Sequence, residues 1–240
     1  NNLSIVTDTL RLLSQPLDPY EIGEGDELTY KLLGGGHTVG VFQLESSPMQ
    51  QLLRDMKPES LDDVAAVLSA YRPGPMAAGA HVKMARVKHG IEAASYVHGD
   101  LEEIFAKTYG QFLEQEQLMA IARHFAGYNG VEANAFRKIA AKKKPEKMAA
   151  EHEKFVQGCR DNGYSDQVAN DLWKMIEGVA DYLFTKAHSY AYGALSIITA
   201  YLKAHHPQAY MSALLTNVGS LEDAGPYLHE CYRLGLDLNL

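Results

Sequence analysis

Arg137, Lys138, Lys142, Lys143, Lys144 and Lys147 crowd one short stretch, VEANAFRKIAAKKKPEK, of a chain whose formal net charge is -8. Arginine offers a planar fork to phosphate oxygens and lysine a mobile point charge. The chemistry this allows is the holding of a polyanion, either a nucleoside triphosphate or a nucleic-acid backbone. The plainer alternative is a solvated basic face. As a helix, the stretch places Phe136, Ile139 and Ala140 on one apolar stripe. Lys138 and Lys142 stand one turn apart, with Arg137, Ala141 and Lys144 on the adjoining line. On this spacing Arg137, Lys138 and Lys142 face outward together from a packed scaffold. Like charges one turn apart repel, so helix stability does not explain them. Pro145 is expected to stop the helix.

Two other stretches hold unusual chemistry. In Tyr71-Arg72-Pro73-Gly74-Pro75 an arginine sits between an aromatic and a stiff turn that does not read as regular structure. In Phe184-Thr185-Lys186-Ala187-His188-Ser189-Tyr190-Ala191-Tyr192, Lys, His and Tyr precede an apolar helix, where backbone donors point towards anions. Against these stand an ordinary interhelix turn and an ordinary helix cap with core aromatics. Asp62-Asp63 reads as first-turn acid on a helix capped by Ser60. The ten histidines form no ligand pattern, and adjacent His205 and His206 point different ways on a helix. No metal site is expected within the chain.

The elements that must carry these residues are overwhelmingly helical. Apolar positions at helical spacing recur throughout, for example Leu118, Ile121 and Phe125, then Phe155, Val156 and Cys159, then Leu172, Met175, Ile176 and Val179. Residues 38–44 (TVGVFQL) are the best strand candidate. Gly34-Gly35-Gly36 lacks the Lys-Ser/Thr ending of a P-loop and is followed by His37-Thr38. A hydrophobic fraction of 46% supports a sizeable core, and a pI of about 5.7 confines any phosphate contact to the local strip. Cys159 and Cys231 read as reduced, packed thiols of a cytoplasmic protein, with a bridge between them as the alternative. No signal peptide or membrane-spanning run is visible. The chain opens inside an apolar pattern without methionine, and reads as a piece of a longer protein.

Phe42-Gln43-Leu44-Glu45-Ser46, Tyr71-Arg72-Pro73-Gly74-Pro75, Gln115-Glu116-Gln117, Arg137-Lys138 with Lys142-Lys143-Lys144, and Lys186 with His188 occur in one order. Together with Thr199 to Pro207, they resemble the bacterial replicative DNA polymerase III α subunit, the C family, in its fingers region and closest to the actinobacterial type. The resemblance covers nearly the whole chain. It implies a mainly α, multi-helix fingers domain with a few short strands. Residues 1–75 would follow the palm, 76–218 would be the nucleotide-binding helical part, and 219–240 would begin the C-terminal region. By that similarity Arg137, Lys138 and Lys142 grip the triphosphate. Arg72 sits at the edge of the pocket, Lys186 and His188 line it, and Tyr192 supports base or sugar. Lys143 and Lys144 would touch DNA. The family's palm aspartates hold two metal ions, and no aspartate here matches them. The resemblance therefore implies no catalytic residue in this chain, with Mg2+ expected at a palm domain outside it. It implies template–primer DNA, incoming dNTP, the other polymerase domains and replisome subunits as partners, with no membrane. The alternative is a non-catalytic helical module that binds nucleic acid or protein and derives from such a polymerase.

The chain departs from the family pattern at four places: Ala140-Ala141 replaces the usual Met-Gly, Phe136-Arg137-Lys138 replaces Leu-Arg-Arg or Leu-Arg-Lys, Glu114 stands where an aromatic precedes Gln115, and Thr185-Lys186-Ala187-His188 replaces Asn-Lys-Ser-His. The charged groups survive while small neighbours change.

Overall fold

In the computed structural model, which describes residues 2–22, 25–142 and 145–237, fourteen α-helices make up nearly all the regular structure of the described residues. By packing the chain divides into two units, Asn1–Val64 with Tyr190–Leu240, and Ala65–Ser189.

The first unit holds α1 (Asn2–Leu12), α2 (Glu27–Gly34), α3 (Ser47–Met56), α13 (Pro207–Thr216) and α14 (Leu221–Arg233). It also holds the body of α12 (Lys186–His205) from Tyr190 onward and the opening turn of α4 (Leu61–Ala70). Its core joins Ile5 and Val6 of α1 to Leu202, Tyr210, Met211, Leu214 and Cys231. Asp26 caps α2 by accepting from the Thr29 amide at 2.8 Å, and the same carboxylate lies 2.8 Å from His205 Nε2. His205 therefore pairs with an acid and not with His206. Asp62 accepts from the Tyr190 hydroxyl. Asp63 serves the helix start: its amide donates to Ser60 Oγ at 3.2 Å, and its carboxylate accepts from the Glu59 amide at 2.8 Å.

The expected strand at 38–44 is absent; the segment runs through turns. Its backbone finds helix side chains where a strand would need a neighbouring strand. Thr199 Oγ1 accepts from the Phe42 amide at 3.1 Å, and Ser196 Oγ donates to the Phe42 carbonyl at 2.9 Å. Lys203 Nζ donates to the carbonyls of His37 and Val39, both at 2.7 Å, and the Tyr210 hydroxyl donates to the Gly40 carbonyl at 2.6 Å. Ser196, Thr199 and Lys203 follow one face of α12 at helical spacing.

The second unit holds the rest of α4, then α5 (Pro73–Ala77), α6 (Ala80–Lys88), α7 (Leu101–Phe105), α8 (Gln115–Ala126), α9 (Gly130–Lys142), α10 (Pro145–Asp161) and α11 (Asp166–Val179). Its core is aromatic. Phe136 of α9 stacks on Trp173 of α11 at 5.6 Å between centroids, with Phe155 of α10 at 5.7 Å from the same indole. Phe136 and Ala140 are fully buried and Ile139 partly so, as the apolar stripe predicts. A Cβ at Gly158 would stand 2.2 Å from the Ala126 carbonyl oxygen, so only glycine lets α10 approach α8 this closely. Pro145 opens α10, a position where its missing amide costs no helix bond. The turn at 71–75 is also more regular than expected. Pro73, Gly74 and Pro75 form the first turn of α5, with Arg72 as extended N-cap, because prolines in a first turn remove no internal hydrogen bond.

Among the described residues, no helix is long and apolar enough to cross a membrane. Cys159 and Cys231 are both buried free thiols, and burial pushes Cys159 up to about 11.

Candidate functional site

A single parallel bridge gathers the site in the second unit. The Phe184 amide donates to the Leu113 carbonyl and the Gln115 amide to the Phe184 carbonyl, each at 2.8 Å. The chain entering α8 thus runs beside the chain entering α12. Glu114 and Gln117 hold the start of α8 in a capping box, and Gln117, almost fully buried, also donates to Thr108 Oγ1 at 2.7 Å.

Gln115 is the hub. Its Oε1 accepts from Arg137 Nη1 at 2.7 Å and from Thr185 Oγ1 at 3.3 Å, while its Nε2 donates to the Leu183 carbonyl at 3.2 Å. The other side of the Arg137 fork donates to Asn134 Oδ1 at 3.2 and 3.0 Å. Glu116 accepts from the Lys186 backbone amide at 2.9 Å. One of the free donors expected at the start of α12 is therefore already taken by the chain's own carboxylate.

Arg72 reaches the same bridge from α5. Its Nη1 donates to the Tyr182 carbonyl at 2.7 Å, and its guanidinium lies 4.6 Å from the centre of the Phe184 ring. That ring also meets His188 edge-on at 5.1 Å. Burial, helped by Asp181, pushes the Tyr182 phenol up, so it stays protonated at neutral pH.

The structure therefore brings together Arg72, Arg137, Lys186 and His188, which lie far apart in sequence. It divides the cationic strip. Arg137 turns to Gln115, while the exposed Lys138 and Lys142 line a cavity of about 140 Å³ with Ile139 and Lys147. The amide of Gln115 draws the arginine fork to one side, and the return of the chain into α10 brings Lys147 to the other. Among the described residues Lys138 and Lys142 have no carboxylate partner. Lys143 and Lys144 lie outside the described residues. Tyr192 belongs to the first unit, where its ring stands 5.1 Å from Phe42. Sequence reasoning gave Gln115 no role beyond its place in the motif, and gave Phe184 and Tyr182 none. The signal present in the sequence was position, since each stands next to a helix start.

Among the described residues, no group of three or more His, Cys, Asp or Glu side chains could hold a metal ion. Nothing in the described chain fits the two-metal centre implied by the resemblance.

The site is thus a helical scaffold that gathers two arginines, a lysine and a histidine around two helix starts. The chain belongs to the family described as the bacterial DNA polymerase III alpha subunit finger domain, which matches residues 2–163. It is 45% identical over 232 residues to DNA polymerase III subunit alpha of Mycobacterium tuberculosis, covering 95% of this chain and 19% of that protein. It is 42% identical over 207 residues to the Aquifex aeolicus protein of the same name, covering 86% of this chain and 17% of that protein. With the Bacillus subtilis protein of that name, identity is 38% over 240 residues, covering 98% and 21%. The chain spans about a fifth of the length of the curated relatives it matches. Actinobacterial relatives stand among those most similar, in keeping with the expected type.

Proposed function

We propose that this chain is the fingers part of a DNA-directed DNA polymerase and binds incoming dNTP and template–primer during template-directed synthesis. The observation that carries the reading is the convergence of Arg72, Arg137, Lys186 and His188 on the Glu114–Phe184 bridge. A leaving pyrophosphate develops negative charge, and cations fixed on rigid helix starts stabilise it. Arg137, Lys138 and Lys142 hold the triphosphate, Arg72, Lys186 and His188 line the pocket, and Tyr192 supports base or sugar. Lys143 and Lys144 touch the DNA backbone. Residues 1–75 follow the palm, 76–218 handle the nucleotide, and 219–240 lead into the C-terminal region. The palm supplies the metal ions and the chemistry. The setting is a cytoplasmic replisome whose other subunits are further partners.

The separation of Lys138 and Lys142 from Arg137 favours a second reading for those lysines alone, as contacts to a DNA backbone phosphate. Single-nucleotide incorporation by the full polymerase tests both readings. A charge-assisted contact contributes about 1.5–3 kcal/mol, so Arg137→Ala or Lys142→Ala should cost about 10- to 150-fold in catalytic efficiency, in the nucleotide term. Loss of primer–template affinity with the nucleotide term untouched makes the altered residue a DNA contact. No change in either makes the strip a solvated face and overturns the site.

A further inference from the structure

Among the described residues, three other than glycine have positive φ: Gln43 at 60°, Lys57 at 46° and Tyr109 at 52°. Lys57 ends α3 and Tyr109 ends the short 3-10 helix Ala106–Thr108, where the left-handed conformation closes a helix. Gln43 ends no helix. It is also not one of the types, Gly, Asn or Asp, that enter this conformation readily.

The segment around it is fixed on every side. Beyond the bonds from Ser196, Thr199, Lys203 and Tyr210, the Val41 amide donates to the Thr38 carbonyl at 3.0 Å and the Leu44 amide to the Val41 carbonyl at 3.1 Å. Thr38 Oγ1 donates to the Leu44 carbonyl at 2.5 Å. The Gly40 amide donates to Glu45 Oε2 at 3.1 Å, and the Tyr227 hydroxyl to the same oxygen at 3.3 Å. The neighbours of Gln43 are all engaged in the fold. Phe42 packs on Tyr192, Leu44 is fully buried, and Glu45 ties the turn. The side chain of Gln43 is exposed and, among the described residues, has no hydrogen-bond partner. A turn alone would be better served by glycine at this position. Strain held in place by a surrounding that over-determines it, with an idle polar side chain at its apex, marks a contact residue.

We infer that Gln43 contacts the minor-groove edge of the primer–template duplex close to the primer end. This rests on the polymerase reading above. A primary amide offers donors and an acceptor side by side. Purine N3 and pyrimidine O2 are minor-groove acceptors present at every base pair, so one donating amide reads any sequence alike. That suits template-directed synthesis, which must accept all four bases. Gln43 also follows Phe42, the residue packed on Tyr192, and Tyr192 is the aromatic assigned above to base or sugar.

The test uses the full polymerase carrying this chain, with Gln43→Ala and Gln43→Gly. Primer–templates carry 3-deazaadenine, which lacks the N3 acceptor, at one of the last few primer positions at a time. Both variants should lose about 3- to 10-fold in extension efficiency, the scale of one neutral hydrogen bond. One 3-deaza position should cause the same loss in the unaltered enzyme and no further loss in either variant. Hydrogen exchange over residues 37–45 should show Gln43→Gly as protected as the unaltered chain, which separates a lost contact from a lost fold. Normal extension by Gln43→Ala overturns the inference. So does a loss in the variants that no 3-deaza position reproduces. If the unaltered polymerase extends primers normally, such a result sinks only this inference. If it does not extend them at all, the polymerase reading falls first.

Discussion

Arg137 Nη1 donates to Gln115 Oε1 across 2.7 Å, joining α9 to the start of α8 through residues 22 apart in sequence. The guanidinium is therefore held in one place, its remaining donors steadied by Asn134. A positioned cation loses less freedom on binding than a free one. Gln115→Ala should release Arg137 without removing its charge. In the full polymerase we expect a loss of about fivefold in nucleotide incorporation efficiency, the scale of one hydrogen bond, against the larger loss for Arg137→Ala. Gln115→Glu should retain only part of the efficiency, because a carboxylate oxygen still holds the fork but the donor to the Leu183 carbonyl is lost. Equal activity of Gln115→Ala and the unaltered enzyme would mean that Arg137 needs no positioning.

Gly74 sits against Tyr182 so closely that a Cβ would lie 2.6 Å from Cδ1 and 2.7 Å from Cβ of that residue. The Tyr182 Cβ is near the backbone and cannot swing away. Arg72 donates to the carbonyl of the same Tyr182, so displacing the tyrosine displaces the arginine's anchor. Gly74→Ala should cost about 1–3 kcal/mol through overpacking, offset in part by alanine's better helix propensity. Turnover in the full polymerase should fall further than Arg72→Lys makes it fall, since lysine keeps a charge near Phe184. Urea unfolding and single-turnover incorporation, measured together, check this. Full activity with unchanged stability in Gly74→Ala would show that α5 has room to shift.

The helices are legible in the sequence because their signals are local. Phe136 and Ala140 are buried where the 3.6-residue period places them, and Ser165 caps α11 by accepting from the Val168 amide at 3.3 Å. The features that the sequence hides are decided at a distance. Residues 38–44 carry a strand's residue types, but the distant part of their backbone bonding goes to Ser196, Thr199, Lys203 and Tyr210, more than a hundred positions away. Pro73 and Pro75 read as breakers because the pattern does not reveal that they fall in a helix's first turn. The cations of the strip are visible in the sequence, while their division is not. Asn134, three residues back, is a local partner of Arg137, but Gln115 holds the other side of its fork, and no period links residue 115 to residue 137.

Lys203 is fully buried and lies 2.6 Å from Glu230 Oε1. Glu230 also accepts from Arg233 at 2.7 and 2.6 Å. Burial alone would push the Glu230 carboxyl up, but the bonds from Arg233 and Lys203 outweigh it and hold the group below its ordinary value. A carboxylate held low contributes stability that is present above the unfolded value, near 4.5, and is lost as pH falls through the folded one. Removing one partner of a buried pair costs about 3–5 kcal/mol, because the other charge is left without compensation. Arg233 remains to Glu230, so Lys203→Met should fall at the lower end. It should also move acid unfolding to higher pH, since Glu230 loses one of the donors that favour its charge. Adding Glu230→Gln should recover only part of the loss, because the carbonyls of His37 and Val39 still lack the ammonium that binds both. Circular dichroism of the 240-residue chain during urea unfolding at pH 7, and during acid titration, measures both effects. A cost below about 1 kcal/mol, the scale of an exposed pair, would show that the 37–44 segment does not depend on this lysine. An unmoved acid midpoint would show that Arg233 alone sets the charge of Glu230.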